Sequence, residues 1–88
     1  MHNTTDHLLR KILTEVLALK PEQADHFTAK TGLFGHLPEL DSMAVAGLLT
    51  EMEDRLGIVI EDDEIDGELL ENYGSLLDFA RAKRGEDA

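Results

Sequence analysis

The residues best placed to do chemistry are Leu40-Asp41-Ser42-Met43. Asp41 suits the capping position of a helix, and Ser42 then takes the first helical position. A side chain there stands on an exposed rim, beside backbone amides that have no intrahelical partner. Those donors and the helix dipole both favour an attached anion. A phosphodiester on the Ser42 hydroxyl is chemistry that such a place supports. Taken alone, the same tripeptide also reads simply as a helix cap.

Other arrangements fit their chemistry less well. A serine hydrolase needs a base and an oxyanion hole around its nucleophile. There is no Gly-x-Ser-x-Gly turn, and His36, six residues before Ser42, reads as a loop histidine. His2, His7 and His26 have no ligand partners at metal-binding spacing. Asp62-x-Glu64-x-Asp66-Gly67 imitates the first half of a calcium loop. Counted from Asp62, however, the position needing a bidentate Glu is Tyr73. Loose divalent-ion binding that relieves repulsion is the milder reading of this cluster, and no resident metal is expected.

The net charge is −11, from 19 acids and 8 Lys or Arg. Residues 39–72 carry twelve of the acids and one base, Arg55, so the imbalance lies in one central block. Such a balance argues against nucleic acid and against an anionic membrane surface. Two readings of the block stay open, a solvated acidic surface or a docking face for basic partners.

Chemistry at Ser42 requires elements to hold it. With 88 residues, 42% hydrophobic and 31% charged, the chain reads as one small globular domain over 1–88, its core over about 5–84. No apolar run is long enough to span a membrane. No signal segment is visible and there is no Cys, so a cytoplasmic monomer is the simplest expectation.

Leu8, Leu9, Ile12, Leu13, Val16 and Leu17 predict an amphipathic helix over about 5–19, ended by Pro21. Residues 20–40 form a long connection, anchored by Phe27, Leu33, Phe34, Leu37 and Leu40, with a helical turn allowed over Pro21–Phe27. A second helix starts at Asp41 or Ser42, carries the stripe Val45, Leu48, Leu49, Met52 and Leu56, and stops at Gly57. Gly47 within it weakens the helix or admits another backbone. Ile58-Val59-Ile60 predicts an extended segment under the core. A short helix is expected around Glu64–Asn72, burying Ile65, Leu69 and Leu70. A last helix spans about 74–84, with Gly85-Glu86-Asp87-Ala88 frayed. The fold class is all-α, a small four-helix bundle of three longer helices, one short helix and a long first loop.

These pieces, in this order, resemble the acyl carrier protein family over nearly the whole chain. The resemblance rests on Asp41-Ser42-Met43 opening the second helix and on Glu51-Met52-Glu53-Asp54. It extends to Gly57-Ile58-Val59-Ile60-Glu61-Asp62-Asp63-Glu64 and to Tyr73-Gly74-Ser75-Leu76-Leu77-Asp78-Phe79. It implies that a phosphopantetheinyl transferase moves a 4′-phosphopantetheine arm from coenzyme A to Ser42, flanked by Asp41 and Met43. Acyl intermediates then ride as thioesters on the arm, and the chain itself catalyses nothing. Basic patches on acyl-transferring or acyl-activating enzymes would read Glu51, Glu53 and Asp54. The cargo would enter a cavity lined by Val45, Leu49, Met52, Ile60, Ile65 and Leu69, which in the unloaded chain should be close to a plain packed core.

Two departures from the family pattern matter. Met43 replaces the usual Leu, and Ala44 and Gly47 stand where many fatty-acid carriers have acids. They suggest a specialised pathway. The segment Leu33–Val45 looks like carriers linked to exosortase and exopolysaccharide systems, among the lipid, polyketide and exopolysaccharide pathways that use such proteins. The rival reading is an unmodified acidic helical interaction module, in which Ser42 is only a cap.

Overall fold

Thr4 starts the first helix, its Oγ1 accepting the His7 N–H at 3.2 Å. In the computed structural model, which describes residues 4–85, this helix is α1, Thr5–Val16. It is shorter than the expected 5–19, and Pro21 does not end it. Leu17 still donates to Leu13 O, but Ala18 turns left-handed at φ 54° and Leu19 N–H reaches back to Thr14 O at 2.9 Å. That bond closes a Schellman-type cap, a place glycine normally fills because a Cβ is strained there. Ala18→Gly is therefore expected to raise stability by about 0.5–1 kcal/mol, read as a higher urea midpoint.

Two further helices follow, α2 at Ser42–Leu56 and α3 at Tyr73–Arg84. The loop between α1 and α2 carries one 3-10 turn, Ala24–His26, within the stretch where a helical turn was allowed. α1 packs against both α2 and α3. Leu9, Ile12 and Leu13 of α1 meet Leu48 and Met52 of α2 and Leu76 and Ala80 of α3 in one buried core. Leu17, Phe27, Leu33, Leu40, Leu56 and Ile58 close its ends.

Gly57, at φ 67°, stops α2 as expected. Gly47 admits no second backbone: a Cβ there would meet only Val16 Cγ1, at 3.9 Å. Gly47→Ala should add up to about 1 kcal/mol of helix stability, visible as a raised thermal midpoint.

The short helix expected around Glu64–Asn72 does not form. In its place stand a 3-10 turn, Asp62–Glu64, and a run of turns over 66–71. Asp66 drives the change, since its Oδ1 accepts the N–H groups of Glu68 and Leu69 at 3.1 and 3.0 Å. Among the described residues the bundle is thus three α-helices, with a 3-10 turn in the fourth position. Leu69 and Leu70 are buried as expected, but Ile65 is 39% exposed.

Those turns tie down the long loop. Leu33 and Phe34 N–H donate to Glu71 O and Leu70 O, while Tyr73 and Gly74 N–H donate to Thr31 O and Ala29 O. Gly32 and Asn72 form an isolated antiparallel bridge. Of the expected loop anchors, Phe27, Leu33 and Leu40 are buried and Leu37 is partly so, whereas Phe34 is 48% exposed.

A polar clamp joins the ends of α1 and α3. Buried Tyr73 donates its hydroxyl to Asp6 Oδ1 at 2.5 Å, and Arg10 Nε bonds the same oxygen at 2.8 Å. Arg10 also donates to Ala24 O and lies over the Tyr73 ring, 4.8 Å from its centroid. Lys83 pairs with Glu64 at 2.8 Å, fixing α3 to the second 3-10 turn. Gly85, expected to fray with the tail, instead caps α3 at φ 74°, its N–H bonded to Ala82 O; the rest of that tail, residues 86–88, lies outside the described residues.

Candidate functional site

Asp41 adopts extended backbone and accepts the Ala44 N–H on Oδ1 at 2.8 Å. The helix begins immediately after it, with Val45 N–H bonded to Asp41 O at 2.9 Å. Ser42 is thus the first helical residue of α2, and it is exposed. Asp41 satisfies one amide of the first turn. The amides of Ser42 and Met43 have, by position, no intrahelical acceptor. The hydroxyl is accessible, while the cap depends on its neighbour.

Ser42 sits between two depressions. One, of about 370 Å³, is lined by Phe34, Ser42, Val45, Ile65, Asp66, Gly67 and Leu70 and is mostly apolar. The other, of about 470 Å³, follows the loop from Phe34 to Pro38 and ends on Leu40, Asp41 and Ser42. Phe34 and Ser42 border both.

This arrangement divides the residues read as a cargo cavity. Val45 and Ile65 line the groove beside Ser42. Leu49, Met52 and Leu69 lie in the closed core, and Ile60 is half-buried against it. The groove's other apolar walls are Phe34 and Leu70. Both passed as core in the sequence; a signal lay in Gly35, whose φ of 89° turns the chain directly after Phe34. Met43 is 85% exposed, a rim residue.

The acids of α2 separate in the same way. Asp54 is exposed, and Glu51 stands 3.9 Å from Arg55. Glu53 is committed to structure, its Oε2 accepting the Ile60 N–H at 2.8 Å and holding the extended segment after α2. Arg55, the one base of the central acidic block, bonds Glu15 of α1 at 2.6 Å. That hydrogen bond holds the Glu15 carboxyl below the usual range.

The acidic loop gathers no ion-binding cage. Among the described residues, no three His, Cys, Asp or Glu side chains are placed to hold a metal ion. Glu64, its carboxyl lowered first by the Lys83 hydrogen bond, also accepts the Glu61 N–H. His26 bonds Glu22 O through Nδ1. No described helix is long and apolar enough to cross a membrane.

No family model matches the chain, and no curated protein matches it. Among solved structures, it is similar to a holo acyl carrier protein from Nitrosomonas europaea. The TM-score is 0.82 and the identity 36%, covering 97% of this chain and 100% of that one. Helix order, the capped start of α2 and near-complete overlap with a protein of that kind agree: the chain belongs to the acyl carrier protein family, and its general role is that of a carrier.

Proposed function

We propose that Ser42 is the attachment point of a 4′-phosphopantetheine arm and that the chain presents acyl groups on that arm to partner enzymes. The observation that carries this reading is the exposed Ser42 hydroxyl at the start of α2, between two grooves. The residues fit such a group. The hydroxyl is a ready phosphoryl acceptor, and the first-turn amides and helix dipole favour the added negative charge. The Val45, Ile65 and Leu70 groove offers apolar cover to whatever hangs from it. When bound, the arm supplies a terminal thiol that holds acyl groups as thioesters, which suits a chain without cysteine.

The chain's own contribution is tethering. An attached acyl group reaches a docked enzyme at an effective concentration set by the reach of the arm rather than by diffusion. The partners are a phosphopantetheinyl transferase and acyl-handling enzymes with basic patches. Glu51 and Asp54 are the acids of α2 left to greet them. The absence of acids at Ala44 and Gly47, with Glu53 engaged elsewhere, supports a specialised pathway, and the Leu33–Val45 resemblance supports one of the exopolysaccharide type.

Incubation with coenzyme A and a broad-specificity transferase tests the reading. Intact mass should rise by one phosphopantetheinyl group, with adenosine 3′,5′-bisphosphate released. No mass gain on the wild-type chain overturns it.

A further inference from the structure

His36 is the sole basic side chain between residues 31 and 54, the stretch that contains the acceptor serine. It lines the same 470 Å³ depression as Ser42 and Asp41. Its place there is fixed from two directions. Its backbone N–H donates to Leu33 O at 3.0 Å, and Leu33 is fully buried. Its ring lies against Gly32, where any Cβ would collide with it. Gly32 in turn is bridged to Asn72. The imidazole is exposed, and its ring nitrogens make no hydrogen bond to any described residue. A positioned donor therefore faces the pocket without a protein acceptor.

The charges around it make that donor useful. The one charged group sharing the pocket is Asp41, and its carboxylate already accepts the Ala44 N–H. Exposed Glu39 is a close neighbour in sequence. A phosphodiester on Ser42 would add negative charge beside these acids, with no Lys or Arg in the pocket to offset it. An imidazole donates one N–H when neutral and two when protonated, and the charged form makes the stronger hydrogen bond to phosphate oxygen.

We infer that His36 is a phosphate-contacting residue: it donates an imidazole N–H to a non-bridging oxygen of the phosphodiester carried by Ser42 and steadies the root of the arm on the loop side. This assignment rests on the reading of Ser42 as the attachment point. It leaves the Val45, Ile65 and Leu70 groove on the other side of Phe34 free for cargo.

Phosphorus NMR of the loaded protein tests it. A phosphodiester does not titrate between about pH 5 and 8, whereas histidine does, so movement of its resonance there reports a neighbouring imidazole. Neither His7 nor His26 lines the pocket. The loaded wild-type chain should show one sigmoidal shift, larger than the linewidth, across that range. His36→Gln, loaded to completion by extended incubation and checked by intact mass, should show a flat profile with unchanged helicity. A flat profile in the wild type, or the same sigmoid in His36→Gln, overturns the role of His36 and leaves Ser42 as the attachment point. Failure of the wild type to load overturns both.

Discussion

Tyr73→Ala should lower the unfolding free energy by about 3–5 kcal/mol, enough to remove much of the stability of a domain this small. Tyr73 is 1% exposed. Its ring packs tilted against Phe27 with centroids 5.8 Å apart, and Arg10 lies over its face. Truncation leaves a cavity where α1, α3 and the long loop meet. It also strips the Asp6 carboxylate of its shortest hydrogen bond. Urea unfolding followed by circular dichroism checks the magnitude.

Tyr73→Phe keeps the ring and isolates the hydroxyl. The expected loss is about 1–2 kcal/mol, at the low end for a bond to a charged group because the Asp6 side chain is 36% exposed. The loss should depend on pH in a defined sense. Partial burial raises the Asp6 pKa, but the Tyr73 and Arg10 hydrogen bonds outweigh it and leave the carboxyl below its ordinary 3.8. A group depressed in the folded state stabilises above its unfolded pKa, and that contribution fades as pH falls through the folded value. The wild-type advantage over Tyr73→Phe should therefore be full near neutrality and shrink in acid below about pH 4. An advantage that grows in acid would contradict the clamp.

Ser42→Ala should have the opposite profile, with little effect on stability and complete loss of loading. The side chain is exposed, and the amide that needs capping is served by Asp41. Stability should stay within about 0.5 kcal/mol of wild type. With no hydroxyl there is no oxygen to form the new bond to phosphorus, so the mass should not change after any length of incubation with transferase. Asp41→Ala separates the roles. It should cost about 1 kcal/mol of stability through the lost cap while leaving an acceptor hydroxyl in place. Loading of Ser42→Ala to the wild-type extent would remove the proposal outright.

Much of this arrangement could be read from local chemistry. The capping Asp41, the stripe from Val45 to Leu56 and the stop at Gly57 are encoded within a few residues of where they act, and α2 forms where they place it. What escaped was non-local or turned on a single backbone conformation. Ile65, Leu69 and Leu70 have a spacing that a helix could use. The carbonyls of Leu70 and Glu71 instead serve Phe34 and Leu33, from a loop over 30 residues earlier. Gly74 N–H, which a continuing helix would return to Leu70 O, goes to Ala29 O. The end of α1 was misplaced because Pro21 is a conspicuous stop, whereas a left-handed alanine at position 18 announces nothing.

The site shows the same division. The exposed helix-start placement of Ser42 was legible because capping chemistry is local, but the groove beside it was only half legible. Val45 and Ile65 line it, whereas Leu49, Met52 and Leu69 are sealed in the core. Periodicity says which face of a helix is apolar; it does not say where that face is left uncovered. The acids of α2 divide for a related reason. A carboxylate such as Glu53 can be recruited by a backbone amide seven residues later.

The central claim is that one particular oxygen carries the arm. The chain holds only two serines, Ser42 and Ser75, and both stand at helix starts. Ser42 is exposed as the first residue of α2, while Ser75 is half-buried in the first turn of α3. Peptide mass mapping of the transferase-treated wild-type chain distinguishes them. The account predicts the phosphopantetheinyl increment on the peptide containing Ser42, with fragment ions placing it on that residue. An increment on Ser75 or a threonine, or an unmodified Ser42 peptide after complete reaction of a known carrier in the same tube, would contradict it.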